Sequence, residues 1–439
     1  MASTYLTSSY GSTTNRRTWT YSFWIKRAGI GAEQHIWGAR NASSEPYIDF
    51  RFESSDIINF YEYNSGSYGL WLKTNRKFTD CSGWYHIVVA VDTTQAVASD
   101  RIKLYINGVQ ETSFSTETYP AEDFDTPVNV SGYLCTVASL GNSGTGNFSG
   151  AMSHFYFIDG LALAPTVFGS TDADTGEWTL ESSPSVTYGN NGFFILKDGN
   201  TITDQSGNGH NWTVGAGTLT DLQDCPDDVF STMNPLVPDT DMSFINGNNT
   251  QQRTSGSWDY SVSTLGANTG KYYFEGKIGG TGHWILGATS DIDGIGELGN
   301  DTGDVGWRDT GGLKVSGSEP GYSPSVTYTS SDVVCVAMDK TNNKIYFRKN
   351  GDAWINSGDP TSGATGTGAF DLDNTTDTYF FGICSYITSG TGTWDINFGN
   401  GYFGTTAISS EGTNASGIGK FEYDVPTGYT ALSTKGLNS

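Results

Sequence analysis

Few side chains in this 439-residue chain are spaced for catalysis. Its five histidines, His35, His86, His154, His210 and His283, stand singly and form no H-E-x-x-H, the spacing that sets two imidazoles around zinc on one helix face. Three of them lie within or beside apolar stretches, where a hydrogen-bonded structural histidine is the expectation. GANTGKYY (266–273) has three rather than four residues between its glycines, and Tyr272 stands where a phosphate loop needs a hydroxyl for magnesium. Lys271 is therefore read as the start of a strand. GNSGTGNFSG (141–150) contains no G-x-S-x-G and is read as a loop. Asp291, Asp293, Asp301 and Asp304 in DIDGIGELGNDTGD offer the hard oxygens calcium takes, but without the D-x-D-x-D-G cadence, and DADTGE (172–177) is no closer. Solvated acidic turns are the reading at both places, and no metal or cofactor is expected.

Binding chemistry is better represented. A flat ring on a loop covers apolar area while neighbouring polar groups supply directional hydrogen bonds, which suits a sugar or a peptide. GWRDTGG (306–312) sets Trp307 beside Arg308 and Asp309, and NGDAW places Trp354 just past a turn. Trp307, Arg308, Asp309 and Trp354 are the candidate ligand-binding residues. The alternative is that these tryptophans cap the core or pack against a neighbouring subunit. Trp37 and Arg40 in HIWGARNASS invite the same reading with less support.

The elements that must position these residues are strands. Fifty-seven glycines with 24 Tyr, 23 Phe and 12 Trp suit short strands joined by turns. A chain of this length exceeds what one hydrophobic core usually serves, so two domains are expected. Forty-seven acidic against 23 basic residues give a formal charge of −24, which repels phosphate backbones and argues against nucleic acid as a partner. No apolar run reaches the ~20 residues of a membrane helix, and MASTYLTSSYGSTTNRR has no signal-peptide core, so neither membrane insertion nor signal-directed export is expected. Five cysteines, an odd number with no C-x-x-C, are read as reduced thiols.

In DRIKLYINGVQ (100–110), Ile102, Leu104 and Ile106 share one face, Lys103 and Tyr105 the other, and Asn107-Gly108 supplies a type I′ turn. Ile87–Val91 is apolar on both faces and predicts a covered central strand. The same grammar returns in VVCVAMDKTNNKIYFRKNGDAW, with Ile345 and Phe347 opposed to Tyr346 and Arg348 before Asn350-Gly351. Between the halves, alternation fades from about 163, and DCPDDVFSTMNPLVPDTD (224–241) concentrates turn formers and acid. The expected architecture is all-β: two antiparallel jelly-roll-type β-sandwiches in tandem. Residues 1–222 form the first, with an extension from about 171; 223–241 are a linker; 242–439 form the second.

The stretches TYSFWIKR, GWYHIVVAVDTT, RIKLYINGVQ and FSGAMSHFYFIDGLALAPTVFG, over roughly residues 15–170, resemble the laminin-G-like, concanavalin A-type jelly roll. SVSTLGANTGKYYFEGKI, SSDVVCVAMDKTNNKIYFRKNG, WDINFGNG and YDVPTGYTAL, over roughly 250–432, resemble a SPRY (B30.2-like) domain. The pair, with DQSGNGHNWTV between, resembles virion structural proteins of marine tailed phages. One departure is that D-x-SGNG follows the first domain at 204–209 instead of preceding it, so 171–222 either adds strands to that sandwich or forms a bridging subdomain. Glycanases on such sandwiches resemble one another in an E-x-D-x-E strand, which this sequence lacks. The resemblance implies a non-enzymatic virion surface protein, a head decoration or tail-fibre component. Its expected partners are other capsid or tail proteins in many copies and a host-surface glycan. A carbohydrate-active enzyme with a site assembled from distant loops, and a cellular adhesin, are the alternatives.

Overall fold

The computed structural model describes residues 4–41, 45–141, 145–197, 201–236, 241–254, 256–292, 296–319 and 326–439. Two compact units divide the chain, Met1–Asp221 and Leu222–Ser439. Among the described residues no helix is long and apolar enough to cross a membrane.

Unit 1 begins with β1 (Tyr5–Ser9), β2 (Thr18–Arg27), β3 (Gln34–Arg40), β4 (Tyr47–Phe52), β5 (Ile57–Asn64) and β6 (Ser67–Lys77). It continues with β7 (Tyr85–Asp92), β8 (Ile102–Ile106), β9 (Val109–Glu111), β10 (Phe114–Thr118), β11 (Leu134–Val137) and β12 (Gly150–Asp159). β13 (Gly169–Thr171), β14 (Trp178–Leu180), β15 (Phe193–Ile195) and β16 (Thr213–Ala216) complete it. The eight-stranded sheet runs β10-β6-β5-β4-β3-β11-β1-β16 and the six-stranded sheet β15-β12-β2-β7-β8-β9. Period-two alternation decides which side chains meet between them. Ile48, Phe50, Phe52, Phe60, Leu70 and Leu72 from one sheet join Phe23, Ile87, Val89, Leu104, Phe155 and Phe157 from the other in a single core. Tyr21 stacks on Trp37 at 4.1 Å between ring centroids at its centre. Val88, on the opposite face of β7, is buried in a separate cluster with Tyr156 and Phe168, so this strand is covered on both sides.

Residues 171–222 add strands instead of forming a separate body. β15 pairs with β12 in the six-stranded sheet, and β16 pairs with β1 in the eight-stranded one. The D-x-SGNG phrase ties the extension down: Asp204 accepts hydrogen bonds from the backbone N–H of Phe194, Ser206 and His210, each at 2.9 Å.

Unit 2 contains β17 (Met242–Ile245), β18 (Thr250–Arg253), β19 (Asp259–Ala267), β20 (Lys271–Thr289), β21 (Asp304–Arg308) and β22 (Leu313–Val315). There follow β23 (Val333–Asp339), β24 (Lys344–Lys349), β25 (Phe370–Asp371), β26 (Tyr379–Asn397), β27 (Tyr402–Phe403), β28 (Thr406–Ala407) and β29 (Thr430–Ala431). β20 and β26 pair along their length, with register shifts at Gly279–Gly282. Gly280 sits there at φ 87°, and a Cβ on it would come within 2.3 Å of the Thr391 carbonyl oxygen. Only glycine lets the paired strands turn so tightly. Tyr272, Phe274 and Ile278 from the first half of β20 and Trp284, Leu286 and Ala288 from the second enter one core, so the sheet folds over on itself.

The segment read as a linker is a correction. Phe230 is buried with Tyr273, Phe421 and Ala431, and Met233 lies in the main core of unit 2. Ser231 N–H donates to the Leu432 carbonyl and Asn234 N–H to that of Val262. The turn-rich composition masked Phe230 and Met233, whose burial outweighs the local preference for irregular chain.

Both Asn-Gly pairs make left-handed turns, at φ 48° and 79° for Asn107 and Gly108 and at 51° and 74° for Asn350 and Gly351. Each asparagine also closes the ladder beside it. Asn107 N–H donates to the His86 carbonyl while its Oδ1 accepts from His86 N–H, and Asn350 does the same with Val333.

Candidate functional site

The residues singled out in the sequence do not assemble as one site. Trp307 is a correction: it lies within β21, has no exposed surface, and packs against Tyr328 and Phe347 in the core of unit 2. GWRDTGG reads as a glycine loop, yet Val305 and Trp307 alternate about Gly306 as a strand requires, and the largest ring took the inward position. Trp354 is half-buried, held over the Arg348 guanidinium at 4.6 Å and edge-on to Tyr346. Trp37 is likewise a core residue, while Arg40 stays partly exposed on β3. Asp293 lies outside the described residues. Asp304 is buried and accepts from Gly299 N–H, and burial pushes its carboxyl up to about 6. Among the described residues no group of three or more His, Cys, Asp and Glu side chains is placed to hold a metal ion.

Arg308 and Asp309 lie 3.8 Å apart and each has a further polar or aromatic neighbour. Arg308 lies over the Trp258 ring at 4.7 Å and pairs with Glu297 at 3.3 Å, while Asp309 accepts from His283 Nδ1 at 3.0 Å.

The most developed surface is on unit 1 and is absent from the sequence-derived candidates. With Ile48, Phe50, Phe60, Leu70 and Leu72 turned into the core, the outer face of the eight-stranded sheet presents their alternates. Tyr47 of β4, Tyr61 and Tyr63 of β5, and Tyr68 and Trp71 of β6 form a continuous set of rings. Tyr68 stacks on Trp71 at 4.1 Å and meets Tyr63 at 5.1 Å, and Tyr47 touches Tyr61 and Tyr63 at 5.8 and 5.6 Å. Tyr68 is 40% exposed although its ring meets those of Tyr61, Tyr63 and Trp71. Burial and the Asp49 charge push the Tyr61 phenol up and hold it protonated beneath the exposed rings.

A row of charges runs beside the rings. Asp49, fully buried, receives His35 Nδ1 at 2.9 Å and lies 3.7 Å from Arg51. Arg51 also reaches Glu33 at 3.1 Å and Glu53 at 3.8 Å, and covers the Tyr61 ring. Glu53 takes Lys73 at 2.9 Å and Asn59 Nδ2 at 2.7 Å, and Asn59 Oδ1 accepts from Trp71 Nε1 at 3.0 Å. This chain of bonds fixes the Trp71 indole before any ligand arrives, which removes part of the ordering cost of binding. The buried charges are tolerated because each has an opposite partner. The sequence signal was YEYNSGSYGLW (61–71), in which aromatic residues flank a Ser-Gly turn on the polar positions of a hairpin.

Residues 1–167 match the Laminin_G_3 family model, described as the concanavalin A-like lectin/glucanases superfamily, so unit 1 contains a concanavalin A-like domain. The match ends before β15 and β16, which complete its two sheets. No curated protein matches the chain. Among solved structures, the SPRY domain of human HERC1 is similar at 19% identity, over 37% of this chain and 96% of that one, with a TM-score of 0.30. A further human SPRY domain is similar at 14% identity, over 36% of this chain and 94% of that one, with a TM-score of 0.26.

Proposed function

We propose that the chain is a non-enzymatic virion surface protein of a phage, a head decoration or tail-fibre component, that contacts other particle proteins and holds a host-surface glycan on unit 1. The observation that carries the glycan reading is the platform of Tyr47, Tyr63, Tyr68 and Trp71, partly or well exposed around the buried Tyr61, with its indole fixed through Asn59 and Glu53. Pyranose rings present an apolar C–H face that lies on an aromatic surface, and their hydroxyls pair with neighbouring polar groups. The lectin side of the matched family's description is in keeping with this. The virion reading is supported by the resemblance of the two domains, in this order, to phage structural proteins and by the strongly acidic, turn-rich chain.

A hydrolase is the second reading, favoured by Asp49 and Glu53 standing four residues apart on one face. Glycoside hydrolysis needs one carboxyl free to give a proton and another free to act as base or nucleophile. Here Asp49 is fully buried with both oxygens against His35 Nδ1, and Arg51 stands between it and a Glu53 whose Oε1 also takes Lys73 and Asn59, which favours holding a sugar over cleaving it.

Incubation with bacterial surface polysaccharides is the direct test. Retention of the chain without released oligosaccharide is expected, weakened at least about tenfold by Tyr68→Ala with Trp71→Ala. Sustained oligosaccharide release would move the assignment to the hydrolase. Immunogold labelling of heads or tails is expected on particles, and its absence from both would favour the adhesin.

A further inference from the structure

The structure assigns a second sugar-binding site, on unit 2, to the corner formed by Trp258, His283, Tyr386 and Arg308, and we infer that it takes a neutral pyranose unit. The four residues come from the position just before β19, from β20, from β26 and from the end of β21. His283 and Tyr386 are direct cross-strand partners, and Trp258 immediately precedes Asp259, which pairs with Ser385. All four are partly exposed.

Their rings are tilted rather than stacked. Trp258 lies 5.6 Å from Tyr386 at 47° and 6.3 Å from His283 at 39°, and His283 lies 6.3 Å from Tyr386 at 50°. Such angles do not hide one ring behind another, so π-surface is left for a ligand. Beneath them, Tyr260, Val262, Ile285, Leu298 and Cys384 form a buried apolar cluster against which Trp258 and Phe380 pack.

The rim is set in position from below. His283 Nδ1 donates to Asp309 Oδ2 at 3.0 Å, which fixes the imidazole plane, and Arg308 is held by Glu297 at 3.3 Å and by the Trp258 ring at 4.7 Å. Lys314 also lies 3.5 Å from Glu297. Two carboxylates against two permanent cations leave the corner without net charge, so neither a phosphate nor a free cation is selected. A pyranose fits, because each hydroxyl both donates and accepts. Among the described residues His283 Nε2, the second Arg308 Nη and the Tyr386 hydroxyl have no protein partner, and together they can both give and receive hydrogen bonds.

This site is independent of the unit 1 platform, and the test separates them. The full chain is titrated calorimetrically with four probes: cellohexaose, laminarihexaose, maltohexaose and chitohexaose. Two binding events per chain are expected with at least one probe. Trp258→Ala and, separately, the rim change His283→Ala are expected to remove one event or weaken it about tenfold while leaving the thermal midpoint within about 2 °C. Trp71→Ala removes the other. If Trp258→Ala and His283→Ala both leave every event unchanged, or if no probe binds once Trp71→Ala is made, the unit 2 site is wrong while the unit 1 reading stands. Loss of binding with the unit 2 changes alone, Trp71→Ala being silent, supports this site and removes the platform.

Discussion

In unit 1 the turn glycine Gly108 lies against the indole of Trp178, and in unit 2 the turn glycine Gly351 lies against the ring of Tyr423; a Cβ on either would come within 2.4 Å of that ring. Each ring belongs to a later segment that crosses the outside of the hairpin, and each segment is fastened to a buried titratable group. Trp178 Nε1 donates to His86 Nδ1 at 3.0 Å, while His86 Nε2 meets Ser22 Oγ at 2.9 Å. In unit 2 the backbone N–H groups of Glu422 and Tyr423 donate to Glu275 at 2.9 Å, with Tyr273 OH at 3.1 Å. The same hairpin and the same glycine contact are thus locked by a base in one unit and an acid in the other. What differs further is coverage: the C-terminal segment buries one face of unit 2 through Phe421, Val425 and Tyr429, whereas the aromatic face of β4–β6 stays open. A shared framework therefore leaves recognition to whatever each unit leaves uncovered.

The comparison can be broken hardest at the core. Trp307→Ala is expected to cost roughly 3–5 kcal/mol in unit 2 because the ring is fully enclosed. Trp354→Ala, at a half-buried position, is expected to cost at most about 1 kcal/mol. Denaturant titration compares them, and equal losses would return Trp307 to the surface.

Gly108→Ala and Gly351→Ala sharpen the parallel. Each forces a Cβ into positive φ and displaces a packed ring, so each is expected to cost about 2–4 kcal/mol. A loss in one and not the other, read by thermal unfolding, would show that the two segments are not equivalent fasteners.

The two locks should respond oppositely to acid. Burial, with His154 adding to it, pushes the His86 imidazole down to about 3, so the folded unit holds it neutral. Its contribution is complete above the ordinary histidine value and is lost as pH falls toward 3. Burial pushes Glu275 up to about 7 against the pull of its backbone donors. Its contribution is complete below the ordinary glutamate value and is lost as pH rises through 7. Between pH 7 and 5 unit 1 is expected to lose, and unit 2 to gain, about 2 kcal/mol each. Hydrogen exchange followed in peptides from β7 and β20 reads both at once, and parallel changes in the two would contradict the opposition. Glu275→Gln is expected to flatten the unit 2 response.

Much of this was legible in the residues. The alternation of Ile102, Leu104 and Ile106, the two-sided apolarity of β7 and the two Asn-Gly turns are local signals, and the strands follow them. Residues whose role depends on distant partners were not. Trp307 stood among glycines that suggested a loop, and Phe230 and Met233 stood among turn formers, yet both were settled by cores built from the other end of unit 2. The platform was half-legible, because YEYNSGSYGLW shows a hairpin with rings on its polar positions, whereas nothing local links Asn59 or Glu53 to Trp71. Trp258, His283 and Tyr386 lie far apart in sequence and meet only through the pairing of β19, β20 and β26.

The most direct measurement follows the indole N–H resonances of isotope-labelled tryptophan in the full chain as bacterial surface oligosaccharide is added. The Trp71 signal, fixed to Asn59, is expected to shift saturably while those of the enclosed Trp19, Trp37, Trp307 and Trp394 stay still. A saturable titration that leaves Trp71 unmoved would contradict recognition on the open face of unit 1.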